Sequence, residues 1–415
     1  MSWYDEGDLR FAVGLEDTFI PQTRFGERPL DEYEMTQHYQ FWREDLGLAA
    51  ECGASMVRWG VPWYRVNPEP GRWDWSWLDR VAARFAELGL TAIVDLMHYG
   101  TPMWLDNEFA NASYPERVAE YAVAVAERYR GTFDVFTPLN EPLLNALYCG
   151  QYGYWPPYLR GHDGFVQMVR ALARGIVLTQ HGIAEVSPGA TFVHVEASSR
   201  FVGDGGTKGD EGDAGDEIAY LRHRGYLIED LVTGRVGADH PLAGYLAEHR
   251  FGDDALAWFA AHPAVPDVMG VNYYPGVSSE RVVPGDARDG SPAAPREKVD
   301  EGVDGLAGVL TGFAERYGRP VMLSETAGGR TPAERAAWLD ASVACVRDLR
   351  AGGLPVVGYT WWALIDWYGW DWRDGGHLEQ HHLPLGLWEL VPDGAGVLER
   401  VRTPLADLFR AHATA

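Results

Sequence analysis

The sequence predicts an α/β fold, a single (β/α)8 TIM barrel that spans residues 1–415. Short apolar segments typical of strands alternate eight times with longer segments whose apolar residues recur at helical spacing. No change of composition marks a second domain. Parallel strands joined by helical crossovers are the expected result, and eight of them close a barrel. An open doubly wound sheet is the alternative, but it would show a Gly-rich phosphate-binding loop after an early strand, and the sequence has none.

Apolar runs bounded by turn residues mark the eight strands. The predicted strands are 11–15, 55–59, 91–97, 133–139, 190–195, 267–272, 320–325 and 355–361. Segments with helical periodicity follow them at 38–53, 77–88, 115–129, 164–185, 217–233, 253–261, 303–317 and 404–412. A further helix is expected to begin at Thr331, because Glu334 completes a capping-box pattern three residues later.

Two of the predicted strands end in a carboxylate. The fourth is followed by Asn140, Glu141 and Pro142, and the proline must stop the strand because it cannot donate to a ladder. The seventh ends in Glu325, before a Gly-rich loop signal. One such glutamate is more often structural or solvated. A pair at the carboxyl ends of barrel strands suits acid/base or nucleophilic work on a glycosidic bond, where the carboxyl groups lie about 5–5.5 Å apart in retaining enzymes.

Composition limits the partners. The chain carries 60 acidic and 35 basic residues, a formal net charge of -25, so nucleic acid is not an expected partner. No apolar run approaches a membrane span, and the amino terminus lacks the features of a signal peptide. The 3 cysteines are widely spaced and form neither a metal-spaced pair nor a disulfide framework, which favours a reducing cytoplasm. The 17 tryptophans suit core packing and the flat faces of sugars.

No metal or cofactor is expected. The segment 203–216 is rich in Gly and Asp, and its carboxylates raise the alternative of a calcium loop. Their positions miss the standard spacing of such a loop, so the segment is interpreted as a surface connection.

Several motifs, taken together, resemble glycoside hydrolase family 1. Thr137-Pro-Leu-Asn-Glu-Pro142 resembles the acid/base motif of that family, and Leu323-Ser-Glu-Thr-Ala-Gly328 resembles its nucleophile motif. The segments 362–370 and 385–388 are similar to its Trp-rich eighth-strand region and to the stretch that follows. The segment 267–274, Arg58 and His98 match in order. The resemblance covers nearly the whole chain, from about residue 11 to 409, and the ordered set is more specific than the Asn-Glu-Pro triplet alone.

The resemblance implies a barrel that hydrolyses β-glycosides with retention, and it implies a role for each matching residue. Glu325 would be the nucleophile and Glu141 the acid/base. Arg58 would lie beside Glu325 and favour its ionised form, and Tyr274 would donate a hydrogen bond to it. Asn140 would bind the sugar 2-hydroxyl, a contact that strengthens in the transition state.

Four further residues are expected to bind substrate. His98 would bind another ring hydroxyl, and Asn272 stands at the end of the sixth strand beside Tyr274. Trp362 and Trp370 would stack on the sugar. The structural alternatives are a core histidine for His98 and core packing for the two tryptophans. For Arg58, Tyr274 and Asn140 they are a buried structural arginine, a core tyrosine and a strand-end turn amide.

The sequence departs from the family pattern at two places. No glutamine aligns with the residue that usually follows the first strand, where the chain reads from Glu16 to Gln22. Gly369 stands where the family has a glutamate just before the last tryptophan, Trp370. The outer hydroxyls of a glycone would therefore need another partner, and Glu16 is the first candidate with Asp17 the second. A solvated loop carboxylate is the alternative for Glu16.

The expected function is that of a cytoplasmic retaining β-glycosidase that acts on β-glucosides. Transglycosylation in the same site is an alternative, since the aromatic loop 152–158 could hold an acceptor alcohol. A non-catalytic sugar-binding barrel is the alternative from a different class, and the presence of both Glu141 and Glu325 argues against it.

Overall fold

The computed structural model describes residues 2–5, 7–21, 23–203, 215–282 and 296–415. It contains a closed barrel of parallel strands, which confirms the predicted fold. The strands are β1 (Arg10–Gly14), β2 (Met56–Gly60), β3 (Thr91–Asp95), β4 (Val135–Thr137), β5 (Thr191–Ala197), β6 (Val268–Asn272), β7 (Val321–Thr326) and β8 (Val356–Trp361). Consecutive strands are neighbours, and β1 closes the barrel by pairing with both β2 and β8.

Helices follow the strands along the chain, as the helical periodicity predicts. They are α1 (Glu32–Met35), α2 (His38–Glu51), α3 (Trp63–Val66), α4 (Leu78–Leu88), α5 (Tyr114–Arg128), α6 (Pro142–Ala146), α7 (Gly161–Val186), α8 (Gly215–Val232), α9 (Ala243–Glu248), α10 (Asp253–Ala261), α11 (Gly302–Tyr317), α12 (Pro332–Ala351) and α13 (Pro404–Ala413). The capping box is confirmed, because the Thr331 hydroxyl accepts from the Glu334 amide while the Glu334 carboxylate accepts from the Thr331 amide.

The barrel interior is a packed core. Its side chains come from successive strands, and all but two methionines are alanine, valine or isoleucine, which suits the narrow interior of an eight-stranded barrel. They are Ala12, Met56, Ile93, Val135, Val193, Val195, Val268, Met322 and Val357. Trp3 and Tyr4 pack against this set. The interior therefore supports the strands from within and leaves their carboxyl ends for a site.

β4 is shorter than predicted. The sequence predicts a strand over 133–139, whereas the ladder spans only Val135–Thr137. Pro138 has no backbone N–H and interrupts the ladder, which resumes only as a single bridge from Asn140 to Val195. The predicted strand therefore ends two residues too late, and Pro142 is not the residue that stops it. The chain then runs on to Glu141, which takes a left-handed conformation with φ 44° just before α6 begins at Pro142. This turn directs Asn140 and Glu141 to the same end of the barrel.

Short antiparallel pairs and loops surround the carboxyl ends of the strands. The pairs join Phe19–Ile20 to Leu30–Asp31, Trp367–Tyr368 to His382–Leu383, and Trp388–Pro392 to Leu398–Arg402. A small sheet combines Arg200–Val202, Ser279–Arg281 and Glu297–Val299. Most of the suggested calcium loop at 203–216, and Gln22, lie outside the described residues. Among the helices in the described ranges, none has the length and apolar character needed to cross a membrane.

Candidate active site

A cavity of about 570 Å³ opens at the carboxyl ends of the barrel strands. Both predicted catalytic carboxylates, Glu141 and Glu325, lie in its wall. The sequence-predicted residues Glu16, His98, Asn272, Tyr274 and Trp370 line the same cavity. Asn140 and Arg58 are buried directly beneath them, with 0% exposure. The structure therefore brings together side chains from strands that are far apart in the sequence.

Glu325 is held by a cation and a phenol. Arg58 Nη1 donates a short hydrogen bond to Oε1 of Glu325, and the Tyr274 hydroxyl donates to Oε2 at 2.6 Å. The position of Glu325 is fixed by the register of β7, since its carbonyl accepts from the Tyr273 amide and its Cα pairs with Asn272 on β6. Two donors on one carboxylate stabilise its ionised form.

Glu141 is held by two neutral donors. The Tyr99 hydroxyl donates a short hydrogen bond to Oε2, and Asn272 Nδ2 donates to Oε1 at 2.8 Å. Asn272 is itself oriented by Ser324, whose hydroxyl donates to the amide oxygen at 2.7 Å. Glu141 thus has no cationic hydrogen-bond partner among the described residues, in contrast with Glu325. This difference separates the two carboxylates chemically, because a cation stabilises the ionised form of the carboxylate that it contacts.

The two carboxyl groups share a buried environment. Burial and the charge of Glu141 raise the pKa of Glu325 from 4.5 to about 8, although Arg58 acts in the opposite direction. Of the two carboxylates, Glu325 is the one that Arg58 contacts, so the guanidinium favours the ionised form at that position.

Arg58 connects the nucleophile position to the rest of the site. Its guanidinium forms an ion pair with Asp95 at 2.8 Å and donates from Nη2 to Asn140 Oδ1 at 2.5 Å. Asp95 and Glu325 raise the pKa of Arg58 against the effect of burial, so it stays charged. The hydrogen bond from Arg58 also fixes the orientation of the Asn140 amide, whose nitrogen must point the other way.

His98 lies between Asn140 and Asp17. Asn140 Nδ2 approaches His98 Nε2 at 2.8 Å, and His98 Nδ1 lies 2.8 Å from Asp17 Oδ1. Burial disfavours the charged form of His98. The nearby carboxylates of Asp17, Asp95 and Glu16 outweigh the effect of burial and raise the pKa of His98. The Asn140 amide is a donor on that side, so Nε2 accepts only when the single proton of His98 is on Nδ1. The contact at Nε2 therefore suits the neutral ring, whereas the surrounding carboxylates favour the charged ring.

Glu16 faces the cavity, and Asp17 does not line it. Trp362 Nε1 donates to Glu16 Oε2 at 2.7 Å, and the Thr18 hydroxyl donates a short hydrogen bond to Oε1. Gly369 also lines the cavity, so the position that lacks the family glutamate lies in the same site as Glu16. Asp17 instead lies in ion-pair contact with His98, and burial raises the pKa of Asp17 to about 6.

The two predicted stacking tryptophans differ in position. Trp370 lines the cavity and makes edge contacts with Tyr99 and Trp155, with ring centroids 5.5 and 5.1 Å apart. Trp362 is only 1% exposed and packs beside His98, with ring centroids 6.0 Å apart. Trp370 is therefore the better placed of the two for contact with a sugar face, and the clearest contribution of Trp362 is its N–H bond to Glu16.

A group of possible metal ligands lies below the cavity. Asp17, Asp95 and His98 offer ligand atoms within 4.8 Å of one another. Arg58 Nη2 already occupies Asp95 Oδ2 at 2.8 Å, and its permanent charge would repel a cation there. The cluster is better explained as the support of His98 and Arg58.

Sequence reasoning missed two residues that orient the site. Asp95 holds Arg58, and Tyr99 donates to Glu141. Asp95 ends β3, so a buried carboxylate at the carboxyl end of a barrel strand was a usable signal. Tyr99 had no such signal, because it lies beyond the end of β3, in a left-handed backbone conformation with φ 80° that the sequence does not indicate.

The structure has the features of the barrel glycosidase class of protein. These are a β/α barrel, a cavity at the carboxyl ends of its strands, and two carboxylates in that cavity with different hydrogen-bond partners. A family model described as beta-galactosidase, of glycoside hydrolase family 42, matches residues 33–134. That range includes β2 and β3 and ends before Glu141.

Two relatives that align with most of the chain are named beta-glucosidases and not beta-galactosidases. The chain is 25% identical over 371 residues to thermostable beta-glucosidase B of Thermobispora bispora, covering 82% of this chain and 74% of that protein. It is 23% identical over 369 residues to a beta-glucosidase of an Agrobacterium species, covering 81% of this chain and 77% of that protein.

Solved structures show the same fold. The family 1 β-glucosidase of Thermotoga maritima matches with a TM-score of 0.80 at 20% identity, covering 99% of this chain and 97% of that one. A beta-glucosidase from Thermotoga maritima in complex with deoxynojirimycin matches with a TM-score of 0.78 at 20% identity, covering 99% and 98%. The resemblance to glycoside hydrolase family 1 that the motifs indicate is thereby confirmed, and the relatives are glycoside hydrolases by name.

Proposed function

We propose that this protein is a retaining β-glycosidase that hydrolyses β-glucosides by double displacement. The observation that supports this function most directly is the unequal setting of the two carboxylates. Glu325 is bound by Arg58 and Tyr274, which suits an ionised nucleophile, and Glu141 is bound by Tyr99 and Asn272, which suits a group that gains and loses a proton.

In the first step, Glu325 attacks the anomeric carbon while Glu141 donates its proton to the leaving glycosidic oxygen. The bond between the anomeric carbon and the aglycone oxygen breaks, and an ester forms between the sugar and Glu325. Arg58 remains beside Glu325 and loses one counter-charge as the ester forms. Its second partner, Asp95, keeps the guanidinium in place.

In the second step, Glu141 is ionised and acts as the base. It removes a proton from a water molecule, which attacks the anomeric carbon and releases Glu325. Two inversions give a product with the starting configuration. Asn140 would form a hydrogen bond with the sugar 2-hydroxyl in both steps. The orientation of its amide is set beforehand by the hydrogen bond from Arg58. A preset donor lowers the barrier more than one that must reorient during reaction.

Glycone recognition would use the polar residues around Glu16. His98 and Glu16 present a nitrogen and a carboxylate to the cavity, and Trp370 presents an aromatic ring. A sugar offers several hydroxyls on its rim and apolar C–H groups on its faces, and this combination of side chains suits both. The absence of a side chain at Gly369 leaves Glu16 as the carboxylate for the outer hydroxyls.

The test of the proposed function is the configuration of the first product. An aryl β-glucoside is mixed with the protein in deuterated buffer, and the anomeric proton is followed by NMR. Retention predicts that β-glucose appears first and then equilibrates with the α-anomer. Glu325→Gln should give no product, since it keeps the size of the side chain but is a poor nucleophile. Early α-glucose, or turnover by Glu325→Gln, would contradict the mechanism.

Transglycosylation in the same site is supported by the apolar side of the cavity. Leu144, Leu147, Tyr148 and Tyr152 line it near Glu141, and they suit an acceptor alcohol as well as a leaving group. Tyr152 is the one of these that belongs to the predicted aromatic loop 152–158. Addition of an acceptor alcohol to the aryl glucoside reaction should give a new β-glycoside if this activity exists. Release of glucose and aryl alcohol in equal amounts at every acceptor concentration would exclude it.

A cytoplasmic location and a single catalytic domain over residues 1–415 are part of the same proposal. The free cysteines Cys52 and Cys149 are buried, and Cys345 is half-buried, an arrangement that a reducing compartment preserves.

A further inference from the structure

A buried arginine that forms no ion pair with any described residue lies in the wall of the cavity. Arg224, on α8, is 3% exposed and lines the cavity together with the predicted catalytic residues. Its guanidinium makes one hydrogen bond within the described residues, from Nη1 to Gln151 Oε1 at 3.3 Å. Its Nε is buried and has no hydrogen-bond partner. A charged group removed from water in this way is destabilising unless a counter-charge accompanies it.

Other buried arginines of the chain have such counter-charges. Arg58 is paired with Asp95 and Glu325, and Arg400 is paired with Asp45 at 2.8 Å. Arg224 forms no ion pair in the part of the chain that the structure describes. Its other neighbours are rings, with the guanidinium carbon 5.9 Å from the centroid of Phe165 and 5.7 Å from that of Tyr220. Rings attract the cation only weakly compared with a carboxylate.

The geometry of the guanidinium indicates what kind of anion is missing. Nη1 is turned to Gln151, which leaves the edge formed by Nε and Nη2 for another partner. Two parallel N–H groups on one edge match the two oxygens of a carboxylate. The nearby wall is apolar and includes Leu147, Phe201 and Leu221, so an anion that reaches Arg224 would be attached to an apolar body.

The charge of the surrounding surface is consistent with an anion at this place. Arg296 and Lys298 line the cavity as well, and both are paired with the single carboxylate of Glu280, which leaves this group one positive charge in excess. The whole chain has a formal net charge of -25 and would repel an anionic molecule at long range. The carboxylates of Glu16, Glu141 and Glu325 also line the cavity, so the cations offset the repulsion only on their own side of it.

We propose that Arg224 binds a carboxylate on the aglycone, so that the substrates are β-glycosides whose aglycone combines an apolar body with a carboxylate end. This inference rests on the proposed function, because it assigns the part of the cavity beyond the scissile bond. Gln151 would position the guanidinium through its hydrogen bond to Nη1. Arg224 would be a specificity residue, which contacts the substrate at a distance from the reacting atoms.

The test compares substrates that differ only in charge. The probes are β-glucosides of (4-hydroxyphenyl)alkanoic acids, linked through the phenol oxygen. The alkanoic side chain has one to four carbons, and each acid is paired with the corresponding carboxamide. Saturated carbons insulate the phenol for all but the shortest chain, so each pair has nearly the same leaving group. The measured quantity is the ratio of kcat/KM for acid to amide. At the chain length that reaches Arg224, the ratio should exceed unity by about 10- to 100-fold, because a charge-assisted pair replaces a neutral contact.

The variants isolate the guanidinium. Arg224→Gln should reduce the ratio to about one, and Arg224→Lys should recover only part of it, since an ammonium lacks the two-pronged edge. The ratio is taken within each variant, so any loss common to both substrates cancels. Arg222→Gln is the matched control: it removes the same charge from the same helix, at a residue that does not line the cavity, and should keep the wild-type ratio.

The outcomes separate this inference from the proposed function. An acid-to-amide ratio near one at every chain length, or an unchanged ratio in Arg224→Gln, would overturn the role of Arg224 while leaving the glucosidase in place. If neither substrate is hydrolysed, the proposed function fails. Calorimetry with the free (4-hydroxyphenyl)alkanoic acids and their amides then tests the anion site at Arg224 by itself. Tighter binding of the acid in the wild type but not in Arg224→Gln would support the anion site, and equal binding would refute it.

Discussion

Trp362 donates its indole N–H to Oε2 of Glu16 over 2.7 Å, although the two residues are 346 positions apart in the chain. The contact holds a buried carboxylate in the wall of the cavity that Gly369 also lines. We predict that Glu16 binds the outer hydroxyls of the glycone. Glu16→Gln and Glu16→Ala should lower kcat/KM for glucosides by about 10- to 100-fold, and should affect 4-deoxy and 6-deoxy analogues much less, because those analogues have already lost the partner.

A matched carboxylate outside the cavity provides the control for this prediction. Glu34 is exposed on α1 and forms an ion pair with Arg65 at 3.7 Å, so Glu34→Gln removes one negative charge nearby without touching the site. It should leave the ratio between glucoside and deoxy analogue unchanged. An equal penalty on both substrates in Glu16→Ala, or a sugar complex with Glu16 turned away from the glycone, would refute the role of Glu16.

The acid role of Glu141 predicts a dependence on the leaving group. Glu141→Ala should lower kcat/KM by about 100- to 10,000-fold for aryl glucosides with poor leaving groups, which need a proton, and far less for those with good ones. The slope of log kcat/KM against the pKa of the leaving phenol measures this directly. Tyr99→Phe removes one hydrogen bond to Glu141 and keeps the carboxyl group, so it should give a slope between those of the wild type and Glu141→Ala. The same slope in all three proteins would be incompatible with an acid role.

The nucleophile can be identified by chemical rescue. Glu325→Ala should abolish turnover of an activated aryl glucoside, because the attacking oxygen is gone while Arg58 and Tyr274 remain. Azide should restore activity by occupying the vacated space, and the product should be the α-glucosyl azide, since only one displacement then takes place. Product analysis by NMR gives the anomer. A β-azide, or rescue that is equally strong in Glu141→Ala with the same anomer, would contradict the assignment.

Much of the fold follows from local patterns in the sequence. Each barrel strand is a short apolar run, and the predicted helices have apolar residues at helical spacing. The alternation of strands and helices can therefore be predicted from the sequence. The catalytic pair was predictable for the same reason, because Glu141 and Glu325 stand at the carboxyl ends of such runs. The end of β4 before Pro138 is also predictable, because proline lacks the N–H that a ladder needs.

The contacts between distant strands were not predictable in this way. The bonds from Tyr99 to Glu141 and from Arg58 to Asp95 depend on how far each strand extends beyond its neighbour when the barrel closes. Hydrophobic periodicity carries no information on that stagger. Arg224 is a similar case, since a lone arginine in a helical segment is usually solvated, and only the packing of α8 beside the cavity buries it.

The buried carboxyl of Glu325 predicts a pH-dependent stability. Burial raises its pKa from 4.5 to about 8, so the folded protein holds this proton more tightly than the unfolded chain does. The stability that the protonated form supplies is complete below about pH 4.5 and is lost as the pH rises through about 8. Glu325→Gln has no such proton to lose. Its free energy of unfolding relative to the wild type should therefore increase between these pH values and level off above them, with an upper limit of about 5 kcal/mol.

Thermal unfolding from pH 4 to pH 9 checks this expectation, with Glu34→Gln as the exposed control. The Tm difference between Glu325→Gln and the wild type should grow with pH, whereas the control should show a small and constant difference. The ionised nucleophile would then be maintained at a cost in stability, as is common for groups that must react. A difference that stays flat or shrinks as the pH rises would show that Arg58 compensates fully for burial, and that Glu325 titrates near its ordinary pKa.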